Sequence, residues 1–215
     1  MSGKRHLPAI YEKMFSHYGP RHWWPGETPF EVMVGAILTQ NAAWTNVEKA
    51  IANLRSASCL TPQKIFALSP TELARLIQPA GFFRVKTKRL RNFLQFFLET
   101  YDGDADRMKQ EPMEKLRSEL LSVSGIGPET ADSILLYALE KPTFVIDAYT
   151  HRILNRHHLC TEEEGYEELQ QYFMDSLEPK VSHFNEFHAL LVNIGKDFCK
   201  PKPRCEKCPL NGYNW

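Results

Sequence analysis

Apolar residues recur at helical spacing along almost the whole chain, and proline, glycine and capping strings cut that pattern into short lengths. Ile10, Met14, Phe15 and Tyr18 share one face, and Gly19-Pro20 ends it. Thr28-Pro29-Phe30-Glu31 and Ser69-Pro70-Thr71-Glu72 both read as capping boxes with proline at the first helical position. The first opens a helix carrying Val32, Val34, Ile37 and Leu38, and the spacing predicts another over Asn46–Leu54. A long amphipathic stretch runs from Val85 to Tyr101, with Leu90, Phe93, Leu94 and Phe97 on one face. Further helices are expected at Glu114–Leu121, Glu129–Leu139, Asp147–His157, Glu162–Met174 and Ser182–Ile194. The one strand-like run, Thr143-Phe144-Val145-Ile146, is too short and isolated to build a sheet. The expected fold class is therefore all-α, built from about ten short helices with no internal repeat.

Composition narrows the function classes. The chain has 215 residues, 43% hydrophobic, which suits a folded protein rather than a disordered one. Lys+Arg and Asp+Glu stand at 26 each, so the net charge is zero. That excludes holding nucleic acid by bulk charge, although not by a local basic face. There is no apolar run of about 18 residues, so no membrane-spanning helix is expected. The segment Met1 to Pro8 lacks the apolar stretch of a secretory signal. A reducing, cytoplasmic compartment is then expected, where five cysteines suggest metal or free thiols before disulfides.

The most specific string is Leu120-Leu121-Ser122-Val123-Ser124-Gly125-Ile126-Gly127-Pro128-Glu129-Thr130-Ala131-Asp132. A helix ends, two glycines permit a tight hairpin, and a second helix starts at about Pro128. The opening N–H groups of such a helix, with the helix dipole, can hold a phosphate without a lysine. A plain glycine-containing connection between helices is the alternative. The string resembles the helix–hairpin–helix of the endonuclease III superfamily of DNA glycosylases, and the resemblance extends from about Phe15 to Cys208. It implies a two-lobed helical glycosylase fold and DNA contacts by Gly125, Gly127 and Thr130.

Twenty residues after Gly127, three apolar residues deliver Asp147 to a helix start. Its residue type and place also suit a helix N-cap. The resemblance implies that Asp147 is the catalytic carboxylate. Breaking an N-glycosidic bond develops positive charge on the sugar, which a carboxylate can stabilise, or it can activate a water. Relatives that are also lyases carry a lysine where this chain has Glu129, and a carboxylate cannot form a Schiff base. The resemblance then implies a monofunctional, hydrolytic enzyme with Glu129 at the base pocket.

Arg21-His22-Trp23-Trp24-Pro25 sets two tryptophans side by side, and Leu38-Thr39-Gln40-Asn41-Ala42-Ala43-Trp44 adds a third. Core packing is the ordinary use of such side chains. An enzyme that flips a base must sandwich it between flat groups, and a cationic alkylated purine gains a cation–π term on tryptophan. These strings and the absent lysine resemble the 3-methyladenine branch of the superfamily. That resemblance implies a base pocket walled by Trp24, Pro25 and Trp44, with Gln40 filling the gap left by the flipped base. Gln40 and Asn41 could also simply end a helix. Arg84, Lys86, Lys88, Arg89 and Arg91 form a basic cluster in which Lys86 and Lys88 are candidate phosphate contacts.

Cys199, Cys205 and Cys208 fall within ten residues. Iron–sulfur members of the superfamily carry four cysteines spaced C-x6-C-x2-C-x5-C. Here the first gap is five, and Asn214 stands about where the fourth would be. The resemblance implies a [4Fe–4S] cluster on three cysteines; a [3Fe–4S] cluster, zinc or a metal-free loop are the alternatives. Lys200, Lys202, Arg204 and Lys207 would let such a loop grip phosphates.

The expected organisation is one lobe over residues 28–141, holding the hairpin at about 115–139, and a second from residues 1–27 plus 142–215, holding the cysteine loop at 199–208. Asp147 is expected at a cleft facing Trp24 and Trp44. The expected partner is double-stranded DNA with a damaged base, with no membrane, and the protein is expected to be a monomer. The rival readings are a mismatch, uracil or adenine glycosylase, an abasic-site lyase, and a non-catalytic DNA-binding module.

Overall fold

The structure is a computed structural model, described over residues 6–212. In chain order its α-helices are α1 (His6–Tyr18), α2 (Pro29–Leu38), α3 (Trp44–Ser56), α4 (Pro62–Ala67), α5 (Pro70–Leu76), α6 (Phe83–Tyr101), α7 (Ala105–Lys109), α8 (Met113–Ser122), α9 (Pro128–Ser133), α10 (Ala148–Arg156), α11 (Tyr166–Ser176) and α12 (Val181–Asp197). No strand occurs among the described residues, so the fold is all-α as expected. None of these helices is long and apolar enough to cross a membrane.

The chain divides into two compact units, one formed by residues 1–23 with 142–215 and the other by residues 24–141. In the second unit, α2 is apolar apart from Glu31, and all its residues from Phe30 to Leu38 are buried. A helix without a polar face must lie at the centre of a core. Phe30 and Phe93 each stack on Phe97 beside it, with ring centroids 6.1 and 5.6 Å apart. Only half of the first expected capping box forms. Thr28 accepts from the Glu31 N–H, but the Glu31 carboxylate turns away to pair with Arg55. The box at Ser69 and Glu72 is complete in both directions.

The helix expected over 129–139 divides. After α9 it widens into a π turn at Ile134–Ala138, where the Leu139 N–H reaches back five residues to the Ile134 carbonyl. Such widenings often mark functional positions. The short α4 and α7 lack a sequence pattern long enough to show periodicity.

In the other unit, Phe144 stacks on Phe173 of α11 at 3.9 Å, and Phe184 and Phe187 of α12 close around it. Thr143 to Ile146 is buried but forms neither helix nor strand. Side chains of α11 serve it instead. Gln170 donates to the Thr143 hydroxyl and the Phe144 carbonyl, and the Tyr166 hydroxyl meets the Ile146 N–H. This answers the hydrogen-bonding demand that a buried backbone imposes and aims the next residue, Asp147, at the start of α10.

Candidate active site

The hairpin sits between α8 and α9. Gly125 has φ +100°, and Ile126 at the tip is buried. Gly127 is the N-cap of α9 with extended backbone, and open space surrounds its α-carbon. The loop is tied to α6: Asn92 donates to the Ser124 carbonyl, and the Arg89 side chain lies against Gly125. Gln40 joins the same cluster. Its amide donates to the Gly125 carbonyl at 3.1 Å and the Thr130 hydroxyl at 2.9 Å, while Arg89 donates to its Oε1 at 2.5 Å. Gln40, Gly125 and Thr130 are thus one hydrogen-bonded group. Behind them, Arg117 grips the fully buried Asp132 with two hydrogen bonds. Glu129 is exposed in the first turn of α9.

Lys86 corrects the basic-cluster expectation. It is 1% exposed, and its ammonium donates to the Leu38 and Ala80 carbonyls at 2.8 and 2.7 Å. Burial, with Arg89 nearby, pushes its pKa down to about 8. The side chain therefore cross-links the end of α2 to the chain before α6 and presents no charge to a phosphate. Arg84 and Lys88 are exposed on the same helix.

The tryptophans meet within one unit. Trp24 and Trp44 pack edge to face with centroids 5.0 Å apart over Gly35, where a β-carbon would lie 3.3 Å from the Trp24 indole nitrogen. Pro25 follows, exposed. Tyr137 tilts against Trp24 at 5.1 Å. Nothing in the sequence marks Tyr137, because a helical pattern gives no sign of the π turn that carries it. Phe82 also carries no mark in the sequence, yet it is 69% exposed with φ +44° at the start of α6. Trp23 belongs to the other unit, where the Lys196 ammonium lies over its ring.

Asp147 is the N-cap of α10. Its Oδ1 accepts from the Thr150 N–H at 2.7 Å and the Thr150 hydroxyl at 2.8 Å. Its Oδ2 lies 3.7 Å from Nε2 of His188 on α12. Burial is the main cause holding the His188 pKa below its ordinary value, against the opposing pull of Asp147. The two helices come close because Gly195 has no side chain: a β-carbon there would lie 2.2 Å from the Tyr149 ring.

In the C-terminal loop, Cys199 is buried, Cys208 half-buried and Cys205 exposed. Arg152 donates to the Cys199 carbonyl, and Arg156 donates to the Cys199 sulfur at 3.3 Å and to the Lys200 and Pro201 carbonyls. Burial is the main cause pushing the Cys208 thiol up, with Cys199 and Cys205 adding to it. Three thiols in one loop are the right donor chemistry for an iron–sulfur group. Among the described residues, however, no three metal-ligating side chains are gathered into a ligand set. Asn214 lies outside the described residues.

An all-helical scaffold carries a glycine hairpin at a helix start, a capping aspartate after it and an aromatic cluster, the features expected of a base excision glycosylase. The model of the HhH-GPD superfamily of base excision DNA repair proteins matches residues 34–179, and the chain belongs to that family. A DNA repair glycosylase homologue of Methanocaldococcus jannaschii is 44% identical over 206 residues, covering 95% of this chain and 93% of that one. Endonuclease III of Thermotoga maritima is 30% identical over 189 residues, covering 86% and 82%. The H. pylori 3-methyladenine DNA glycosylase bound to 1,N6-ethenoadenine superposes with a TM-score of 0.78 at 29% identity, covering 91% of this chain and 98% of that one. An endonuclease III–DNA complex shares the fold, with a TM-score of 0.82 at 22% identity over 98% and 94% of the two chains. The protein is a DNA N-glycosylase of the endonuclease III-like type.

Proposed function

We propose that this glycosylase is monofunctional and hydrolyses the N-glycosidic bond of an alkylated purine in duplex DNA. The observation that carries the reading is the edge-to-face pair of Trp24 and Trp44, with Tyr137 against it. Electron-rich indole faces favour a cation, and a purine alkylated at N3 or N7 is positively charged. Such a base is also a good leaving group, so the protein need not protonate it.

The rest of the chemistry falls to Asp147. As the C–N bond lengthens, its electron pair leaves with the base and positive charge grows on the sugar. A fixed carboxylate stabilises that charge, and water completes the hydrolysis. The two hydrogen bonds from Thr150 fix Asp147 in advance. No lysine occupies the place of Glu129, and the Lys86 ammonium is committed to two carbonyls. Both support hydrolysis without a Schiff base.

In this reading the DNA-facing groups are the hairpin backbone at Gly125 and Gly127, with exposed Lys88 and Arg84. Gln40 fills the vacated base position, and Phe82, an exposed ring at the start of α6, supplies an apolar wedge for the base stack. An iron–sulfur cluster, if loaded, would be held by Cys199, Cys205 and Cys208 with an exogenous fourth ligand. It would brace the basic loop and supply no step of base release. Iron and sulfide quantitation of purified protein tests it.

The functional test is a base-release panel on duplexes carrying methylated purines, uracil and mismatches, with borohydride trapping in parallel. Release of methylated purines without a trapped adduct is expected. Release of uracil alone overturns the substrate class, and a covalent adduct overturns the monofunctional reading.

A further inference from the structure

We propose that His188 is the positioning residue for Asp147: its imidazole steers the second carboxylate oxygen while the first is held by Thr150. The inference rests on the reading of Asp147 as the group that stabilises the sugar cation, and adds what sets that carboxylate.

Four observations support it. Oδ1 of Asp147 is already pinned twice by Thr150, so the carboxylate plane is fixed and Oδ2 is the oxygen turned toward His188. Nε2 of His188 faces that oxygen at 3.7 Å, longer than a hydrogen bond. Contacts of this kind commonly tighten once substrate arrives. The imidazole itself is buried, and the ring of Phe144 stands edge-on to it at 86°. Phe144 is on the buried run that leads directly into Asp147, so one segment meets both partners.

The protonation state matters as much as the place. A protonated imidazole beside Asp147 would form an ion pair and neutralise the field that a growing sugar cation needs. Burial works against that state, and so does the Lys196 charge, while Asp147 works for it; burial is the larger influence. A neutral N–H can orient the carboxylate without cancelling its charge. The arrangement therefore separates holding the carboxylate from consuming it.

The test uses affinity rather than turnover. The probes are two duplexes, one with a cationic pyrrolidine abasic analogue and one with neutral tetrahydrofuran. Wild type is expected to prefer the cationic duplex, and Asp147→Asn to lose that preference. His188→Leu and His188→Asn should each lose roughly tenfold of the preference, the scale of one hydrogen bond to a charged group, with tetrahydrofuran binding unchanged. His188→Gln, whose longer amide can reach Oδ2, should restore it. Neutral-duplex binding and thermal melting report folding of each variant. Retention of the full preference in both His188→Asn and His188→Leu overturns the proposal, as does failure of His188→Gln to rescue. A wild type with no preference for Asp147→Asn to remove overturns the reading of Asp147 first, and this inference with it.

Discussion

Gly125 and Arg89 meet so closely that a β-carbon on the glycine would lie 2.4 Å from the arginine Cγ. The contact explains why the hairpin needs glycine at this place. It also shows how the loop is held: Arg89 passes against Gly125 and then donates to Gln40, which donates back to the Gly125 carbonyl.

Gly125→Ala should therefore cost about 1–3 kcal/mol, from a side chain forced to positive φ with Arg89 displaced. Gly127→Ala has extended backbone and open space, so only the weaker N-cap preference of alanine counts and its cost should stay below about 1 kcal/mol. Urea unfolding of the two variants measures the contrast, and equal losses would contradict this account of the hairpin.

Asp147→Asn should separate catalysis from folding. Asparagine is as good an N-cap as aspartate, so the bond from the Thr150 N–H survives and the melting temperature should barely move. Base release should fall by about 100-fold or more, the scale of losing one preorganised electrostatic group. Single-turnover kinetics beside a melting curve checks both halves. A large loss of stability would mean that the charge, not only the cap, holds α10.

Trp24→Ala and Trp44→Ala should each weaken handling of a cationic base by roughly 10- to 100-fold, the range of one base–aromatic contact. Tyr137→Phe keeps the ring against Trp24 and should change little. Excision of methylated purine relative to a neutral lesion is the measurement, and an unchanged ratio would remove the tryptophans from the pocket.

Lys86 should make stability depend on pH in an unusual direction. Its pKa in the folded protein is about 8, below the 10.5 of an exposed lysine. Between those values the unfolded chain binds more protons than the folded one, so the Lys86 contribution to stability rises with pH across that window. Urea midpoints of wild type minus those of Lys86→Met should therefore increase from pH 8 to about pH 10. Parallel curves would show that the ammonium is not desolvated in solution.

Local signals carried much of the fold. Ser69 and Glu72 lie three residues apart, and the box they form depends on nothing else. Asp147 at a helix start and two glycines between helices are legible for the same reason, because caps and tight turns are settled by a few neighbouring residues. Thr28 shows where that stops: its half of a box formed, but Arg55, from a different helix, claimed the Glu31 carboxylate.

What the sequence by itself determined was the all-helical class, the hairpin, the capping aspartate and the aromatic strings. Tertiary structure alone decided that Lys86 is buried, that Tyr137 reaches Trp24 from a π turn, that Gln40 is tied to the hairpin, and that His188 stands beside Asp147. A lysine in a basic run looks solvated until packing closes over it, and a histidine on a distant helix carries no mark of the carboxylate it will meet. Those outcomes depend on which surfaces exclude water together and which buried polar groups must then find partners. Residue spacing along a chain does not contain that information.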